Sequence, residues 1–330
     1  MGILSVIYKM ITRFRNYLYD IFFLKVHKVN GVKVVCIGNI TVGGTGKTPA
    51  VQYFAKKYLE QGYKVAIVSR GYKGRRKRDP FVARDYERIM GTVKTCGDEA
   101  MLHSINLETP VIVSKSRFEG ALLAHKVYGC DLVVLDDGFQ HRKLWRDKDI
   151  VLIDATNPFG GENILPKGRL REELKGLERA KEFIITKADL VTSEELEKIK
   201  DRLKSYDKPI SISNHGPTRL YNSKNKELKL TNIKGKKVLL FSALANPNQF
   251  TDTIKKYEPK EIEVLNFKDH HLYKQKDYDE IKNKAKEFGA QLIISTEKDY
   301  VKFKDKLEMD KLYVLAIEFN LLEDNICWNF

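Results

Sequence analysis

Residues 41 to 48 read Thr-Val-Gly-Gly-Thr-Gly-Lys-Thr. Gly43, Gly44 and Gly46 leave backbone N–H groups free to wrap phosphate oxygens. Lys47 adds a cation that reaches the β and γ positions, and Thr48 offers a hydroxyl to Mg²⁺. Thr41, Val42 and Thr45 complete the loop. Thr41 stands where the usual G-x-x-x-x-G-K-[ST] pattern has its first glycine. A second acidic point lies at Asp136-Asp137-Gly138-Phe139-Gln140-His141, after the apolar run Asp131 to Leu135. A P-loop fold puts its Mg²⁺-organising carboxylate at such a strand end. Neighbouring strand residues alternate sides, so Asp136 and Asp137 both stand as metal ligands with one of them expected to face the ion. A solvated turn is the plain structural alternative.

Phosphoryl transfer also needs an anionic base near the γ-phosphate to accept a hydroxyl proton. Gly97-Asp98-Glu99 opens a helical stretch through Ala100, Met101 and Leu102. A carboxylate there suits the helix dipole, and it is also aimed at the crevice beyond the strand ends, which makes Asp98 the candidate base. Gly168-Arg-Leu-Arg-Glu-Glu173 predicts another helix start that carries Arg171, whose planar guanidinium suits bidentate phosphate binding. Arg117, just after the strand Val111 to Val113, is a weaker candidate of the same kind, since such an arginine is often a solvated helix start. Asp269-His270-His271 follows the strand-like Ile262 to Phe267. Arg70 to Arg78 is a basic loop whose simplest role is attraction to anionic headgroups.

The elements that position these groups alternate short apolar runs with helical stretches, the pattern of an α/β protein. Val32 to Ile40 predicts the strand before the glycine loop, and Pro49-Ala-Val51 begins the helix after it, with proline tolerated in the first turn. Ile150 to Ile153 and Phe183 to Ile185 extend a P-loop NTPase-like, mostly parallel sheet flanked by helices, with the active crevice at the carboxyl ends of its strands. Asn214-His-Gly-Pro217 and the charged stretch Lys224 to Lys229 mark a boundary. Beyond it, Val238 to Phe241, Ile262 to Leu265, Leu292 to Ile294 and Leu312 to Leu315 predict a second, smaller α/β domain. The expected division is 1–28, 29–213 and 214–330.

The first segment is an amphipathic helix. Leu4, Ile7, Ile11, Phe14, Leu18 and Ile21 recur at helical steps, while Lys9, Arg13, Asn16 and Asp20 fall opposite. Its charges interrupt it long before the roughly 20 apolar residues of a bilayer span, so it is expected to dock on the core, to lie in a lipid interface, or to do both in part. Lys and Arg total 59 against 44 Asp and Glu, a net charge of +15 that calls for an anionic partner. Cys36, Cys96, Cys130 and Cys327 are scattered and imply neither a disulfide framework nor a zinc site.

With these residues in view, the chain resembles the tetraacyldisaccharide 4'-kinases of lipid A biosynthesis along nearly its whole length. The resemblance rests on Arg15-Asn-Tyr-Leu-Tyr-Asp20, Gly38-Asn39 before the glycine loop, Ser69-Arg-Gly-Tyr72, Gly97-Asp-Glu99, Asp136 to Arg142, Leu165-Pro166 with Gly168, and Leu170-Arg-Glu172. It implies transfer of the γ-phosphoryl group of ATP, with Mg²⁺, to the 4' hydroxyl of an acylated diglucosamine 1-phosphate. It further implies a peripheral location on the cytoplasmic face of the inner membrane. Asp98 matches a catalytic aspartate, His270 matches the histidine paired with it, with His271 as the neighbouring alternative, and Arg171 falls near the phosphates or the acceptor. Two other readings compete. Thr186-Lys-Ala-Asp189 resembles a guanine-reading motif and suggests a GTP-dependent switch. A basic binder that uses nucleotide only for stability is the other; no nucleic-acid motif accompanies it, so a nucleic-acid partner is not expected.

Overall fold

The computed structural model describes residues 2–224, 226–244, 246–304 and 306–330, so the boundary stretch Lys224 to Lys229 is described except at position 225. Two compact units result: Met1–His215 with Phe319–Phe330, and Gly216–Glu318. Residues 319–330 thus pack with the first unit rather than with the segment they follow.

The first unit runs α1 (Ile3–Asp20), β1 (Lys33–Gly38), α2 (Lys47–Glu60), β2 (Val65–Ser69), β3 (Phe81–Arg84), α3 (Val93–Cys96), α4 (Asp98–Asn106), β4 (Val111–Val113), α5 (Arg117–Tyr128), β5 (Leu132–Asp136), β6 (Lys148–Asp154), β7 (Glu182–Thr186), α6 (Ser193–Lys204) and the start of β8 (Ile210–Tyr221). Its strands lie in the order β3-β4-β2-β5-β1-β6-β7-β8. All these pairs are parallel except β3 on β4. Helices cover both faces of such a sheet, which is why β1, β2 and β5 are nearly unbroken apolar runs with scarcely an accessible residue. Ile37 pairs with Asp136 on one side and with Ile150 on the other. The loop after β1 and the acidic turn after β5 therefore leave from neighbouring strand ends, where ligands bind in open α/β sheets.

The second unit contains the end of β8, β9 (Glu227–Leu228), β10 (Lys237–Ser242), α7 (Pro247–Lys255), β11 (Glu261–Asn266), α8 (Gln275–Phe288), β12 (Leu292–Thr296), α9 (Glu297–Phe303) and most of β13 (Leu312–Glu323). Strands β11-β10-β12-β13 are parallel. Leu239, Phe241, Ile281, Ile293 and Phe303 form a core on one side of this sheet. Val238, Leu240, Ile254 and Ile294 form one on the other.

Helix α1 meets the docking expectation, though not through its apolar side. It docks on its own unit through its polar side. Ser5 accepts the Lys167 N–H, the Tyr8 hydroxyl donates to the Arg171 carbonyl, and Asn16 donates to Glu172. Lys9 pairs with Glu173 and Asp20 with Arg142. The apolar side faces outward, with Leu4 68%, Ile11 62% and Phe14 63% exposed and Phe22 and Phe23 continuing the surface. Among the described residues no helix is long and apolar enough to cross a membrane.

Helix α2 is braced on its far side by aromatic rings. Phe54 is fully buried against Tyr58, Phe319 and Trp328. Its truncation to alanine is expected to cost roughly 3–5 kcal/mol through lost burial and the cavity left behind. Urea denaturation followed by tryptophan fluorescence checks this for the first unit alone, since Trp145 and Trp328 are the chain's only tryptophans. A loss under about 1 kcal/mol would mean that the ring cluster repacks around the gap.

Candidate active site

The glycine loop begins on β1 and ends on α2. Gly43 has φ of +128° and Gly46 of +81°, conformations that L side chains rarely adopt. Thr41 is not among the residues with positive φ, so its position needs no glycine. Instead, Thr41 bridges Leu170 across the loop, Val42 N–H donates to the Arg169 carbonyl, and Asn39 donates to the Thr41 carbonyl at 2.8 Å. This lacing replaces what a first glycine provides elsewhere.

Lys47 opens α2, and its ammonium is largely withdrawn from water. Burial lowers its pKa, while the Asp137 carboxylate at 3.9 Å is the main opposing influence. Glu99 and Asp136 pull in the same direction as Asp137. Asn39 Oδ1 accepts from the ammonium at 3.3 Å. Thr48 follows, buried, on the first turn of the helix.

The two aspartates part company at the strand end. Asp136 is the last residue of β5 and accepts from His103 Nε2 at 3.1 Å, both side chains being buried. Burial pushes its pKa upward, but the His103 hydrogen bond and charge, with Lys47 and Arg117, bring it below the usual carboxylate value. Asp137 turns away through a left-handed backbone (φ 53°). Its carboxylate accepts from Arg171 Nη1 at 2.8 Å on both oxygens and lies beside Lys47. The expected helix start at Arg171 is absent: Leu170 is a bridge residue, the chain bends at 171–172, and a short 3₁₀ helix follows at Leu174–Arg179. The cause is Glu172, a buried carboxylate that takes bonds from Arg179, Gln140 and Asn16 and so pins the segment beside the loop.

Asp98 is the first residue of α4 and is 6% exposed. Gly97 before it has φ of +84° and passes so close to the Tyr72 carbonyl that a Cβ would sit 2.3 Å away. The Ser69-Arg-Gly-Tyr72 turn thereby fixes where α4 starts. Arg117 is buried rather than solvated, donating to the Ser114 carbonyl at 2.9 Å. Burial lowers its pKa, and Asp136 and Asp137 oppose that.

In the second unit, His271 stacks on Phe267 and bonds Asp277 at 2.8 Å, which commits it to the start of α8. His270 has a left-handed backbone, φ 60°, an unusual conformation for a histidine and one that clusters at functional turns. Sequence reasoning missed three groups behind the loop. His103 holds Asp136, Thr186 donates to the Thr45 carbonyl at 3.2 Å, and His215 meets the Gly46 carbonyl at 3.3 Å. Thr186 was legible only as part of a guanine-reading motif, and the two histidines carry no spacing signal at all.

The donor set fits MgATP. A cradle of glycine amides and a screened lysine suits the phosphates. Among the described residues no group of three or more His, Cys, Asp or Glu side chains is placed to hold a metal. Mg²⁺ does not need one, since it keeps several waters and binds through one or two protein oxygens plus phosphates. These features on a mostly parallel sheet define a P-loop nucleotide-dependent phosphotransferase. The sequence model of the family described as tetraacyldisaccharide-1-P 4'-kinase matches residues 1–329. The tetraacyldisaccharide 4'-kinase of Halothermothrix orenii is 37% identical over 97% of this chain and 88% of its own length. That of Elusimicrobium minutum is 36% identical over 97% and 86%. The crystal structure of LpxK from Aquifex aeolicus in complex with ATP superposes with a TM-score of 0.76, at 31% identity, covering 96% of this chain and 93% of that one. The chain belongs to the tetraacyldisaccharide-1-P 4'-kinase family, whose members are ATP-dependent kinases, and this sets aside the GTP-switch and non-enzymatic readings.

His141, which ends the acidic turn, has its pKa pushed down to about 4, first by burial and then by Arg117, Arg146, Arg70 and Lys143. The unfolded chain takes up this proton below its ordinary value of 6.5, and the folded chain refuses it until about 4. Stability is therefore lost as pH falls through that window and loses nothing further from this group below it. His141→Gln, which cannot titrate, is expected to lose less stability than wild type between pH 6.5 and 4 in denaturant titrations. Parallel pH profiles for the two proteins would exclude the effect.

Proposed function

We propose that the chain transfers the γ-phosphoryl group of ATP to the 4' hydroxyl of a tetraacyldisaccharide 1-phosphate at an anionic membrane surface. The observation that carries the reading is Lys47, Asp137 and Arg171 gathered at the mouth of the glycine loop in a chain that matches the kinase family from end to end. In this mechanism the amides of residues 43–48 and Lys47 bind the β- and γ-phosphates, and Arg171 turns one N–H face to the γ-phosphate. Thr48 with Asp136 or Asp137 would hold Mg²⁺, which neutralises charge on the phosphate oxygens. Asp98 accepts the 4' hydroxyl proton as the new O–P bond forms and the β,γ-bridging P–O bond breaks, releasing ADP. His270 is assigned, by the family resemblance alone, the role of supporting the ionised base.

The acceptor is a lipid, and the outward apolar stripe of α1 supports an interfacial approach at the cytoplasmic face of the inner membrane. A helix whose polar side is already used for docking leaves its apolar side to lipid, and nearby lysines and arginines suit anionic headgroups. The working division is 1–28 as membrane helix, 29–213 as kinase core and 214–330 as second domain, except that residues 319–330 pack with the core.

Transfer of labelled γ-phosphate from ATP to acylated diglucosamine 1-phosphate in detergent micelles tests the reading. Asp98→Ala is expected to lower kcat by roughly 10²–10⁴-fold while ATP binding persists, the range for loss of a general base. Lys47→Ala is expected to abolish transfer, and His270→Ala to lower kcat more than it raises KM for ATP. Full turnover in Asp98→Ala would remove it as base. For the membrane, Ile7→Ser, Ile11→Ser and Phe14→Ser combined should abolish co-sedimentation with anionic vesicles; undiminished sedimentation would sink the interfacial role of α1.

A further inference from the structure

The glycine loop is shaped from behind by a side chain that the phosphate chemistry does not use. His215, on β8 in the first unit, brings Nε2 to 3.3 Å from the carbonyl oxygen of Gly46. The two are packed so tightly that a Cβ on Gly46 would lie 2.2 Å from that nitrogen. A carbonyl can only accept, so Nε2 carries the proton; Nδ1, buried without a partner, is the bare nitrogen. The ring is kept neutral chiefly by burial, with Lys187 adding to it against the Gly46 carbonyl and the more distant Asp154 and Asp189, and its pKa lies at about 4. Phe319 meets it edge-on at 5.3 Å between ring centres.

Gly46 is the residue before α2, and its carbonyl also accepts the Ala50 N–H at 3.2 Å. In a trans peptide the C=O and the following N–H point in opposite directions. Fixing the Gly46 carbonyl therefore aims the Lys47 N–H out of the helix N-terminus, where phosphate oxygens bind. Thr186 does the same for the preceding peptide by donating to the Thr45 carbonyl.

We infer that His215 is a positioning residue for the nucleotide: as a neutral Nε2–H donor it locks the Gly46–Lys47 peptide in the phosphate-binding orientation. The assignment rests on the reading that this loop binds ATP, and it accounts for a histidine buried beside a loop whose first glycine is missing. Glycine at 46 is then required twice, by its backbone angle and by the ring against it.

The experiment compares full-length wild type, His215→Leu, His215→Gln and Phe319→Leu for KM of ATP, kcat, thermal midpoint and calorimetric Kd of a non-hydrolysable ATP analogue with Mg²⁺. His215→Leu fills the ring's space without a donor and is expected to raise KM and Kd about tenfold with kcat changed less than about threefold, the split that marks lost ground-state binding. His215→Gln restores an N–H and is expected to recover most of that affinity. Phe319→Leu is expected to lower the thermal midpoint and leave Kd unchanged. Wild-type affinity in His215→Leu overturns the inference, and so does equal weakening by all three variants, which would reduce His215 to packing. Failure of wild type itself to bind the analogue would instead overturn the ATP reading, so the two failures are told apart.

Discussion

A lysine that must stay charged while it is taken out of water sets the terms for this end of the molecule. Burial pulls Lys47 toward its neutral form, and a neutral amine is of little use to a polyanionic substrate. The Asp137 carboxylate at 3.9 Å answers that pull. An ion pair at such a distance is worth about 4 kcal/mol at an effective dielectric near 20, and less here because Asp137 keeps some water contact. Asp137 in turn is shared with Arg171, whose backbone N–H bonds the Ile40 carbonyl beside the glycine loop. Two cations on one carboxylate leave an excess of positive charge at the mouth of the loop. Arriving phosphates compete for both cations, so the pairs seen here form a resting arrangement that substrate can rearrange at modest cost.

The division of labour between the adjacent aspartates follows from the same constraint. A carboxylate buried as deeply as Asp136 is unfavourable unless it is bonded, and His103 supplies that bond. The direction of the network is consistent throughout: Asn106 donates to Gln52, the Gln52 amide faces His103 Nδ1, and His103 Nε2 donates to Asp136. Because Gln52 lies on α2 and His103 on α4, this chain ties the phosphate-binding helix to the helix that begins with Asp98. The left-handed turn at Asp137 is what allows consecutive residues to serve the buried network and the open crevice separately.

The glycine loop, its lysine and hydroxyl, the acidic strand end and the alternation of strands with helices were all legible, because each rests on local residue type and spacing. The parallel sheet was legible for the same reason: strands buried on both faces must be apolar throughout. What escaped was set by tertiary packing. Nothing near Glu172 in sequence announces that it collects Arg179, Gln140 and Asn16, and without that knowledge Gly168 to Glu173 reads as a helix start. His103 and His215 act on groups 33 and 169 residues away. No local pattern encodes such reach.

Helix α1 shows why periodicity alone is ambiguous. An amphipathic pattern fixes that one side differs from the other, and the usual inference buries the apolar side. Here Glu172 is buried under the helix and must be satisfied by donors, so Asn16 turns inward, while Lys9 pairs with the part-exposed Glu173 beside it. The apolar side is then forced outward by the carboxylate beneath the helix. The same Glu172 that receives Asn16 also receives Gln140 from the acidic turn, so a single buried carboxylate joins the outward-facing helix to the catalytic crevice. Removing its charge would release the helix and the turn together, which makes the outward apolar surface of α1 and the phosphate-binding end one mechanical piece.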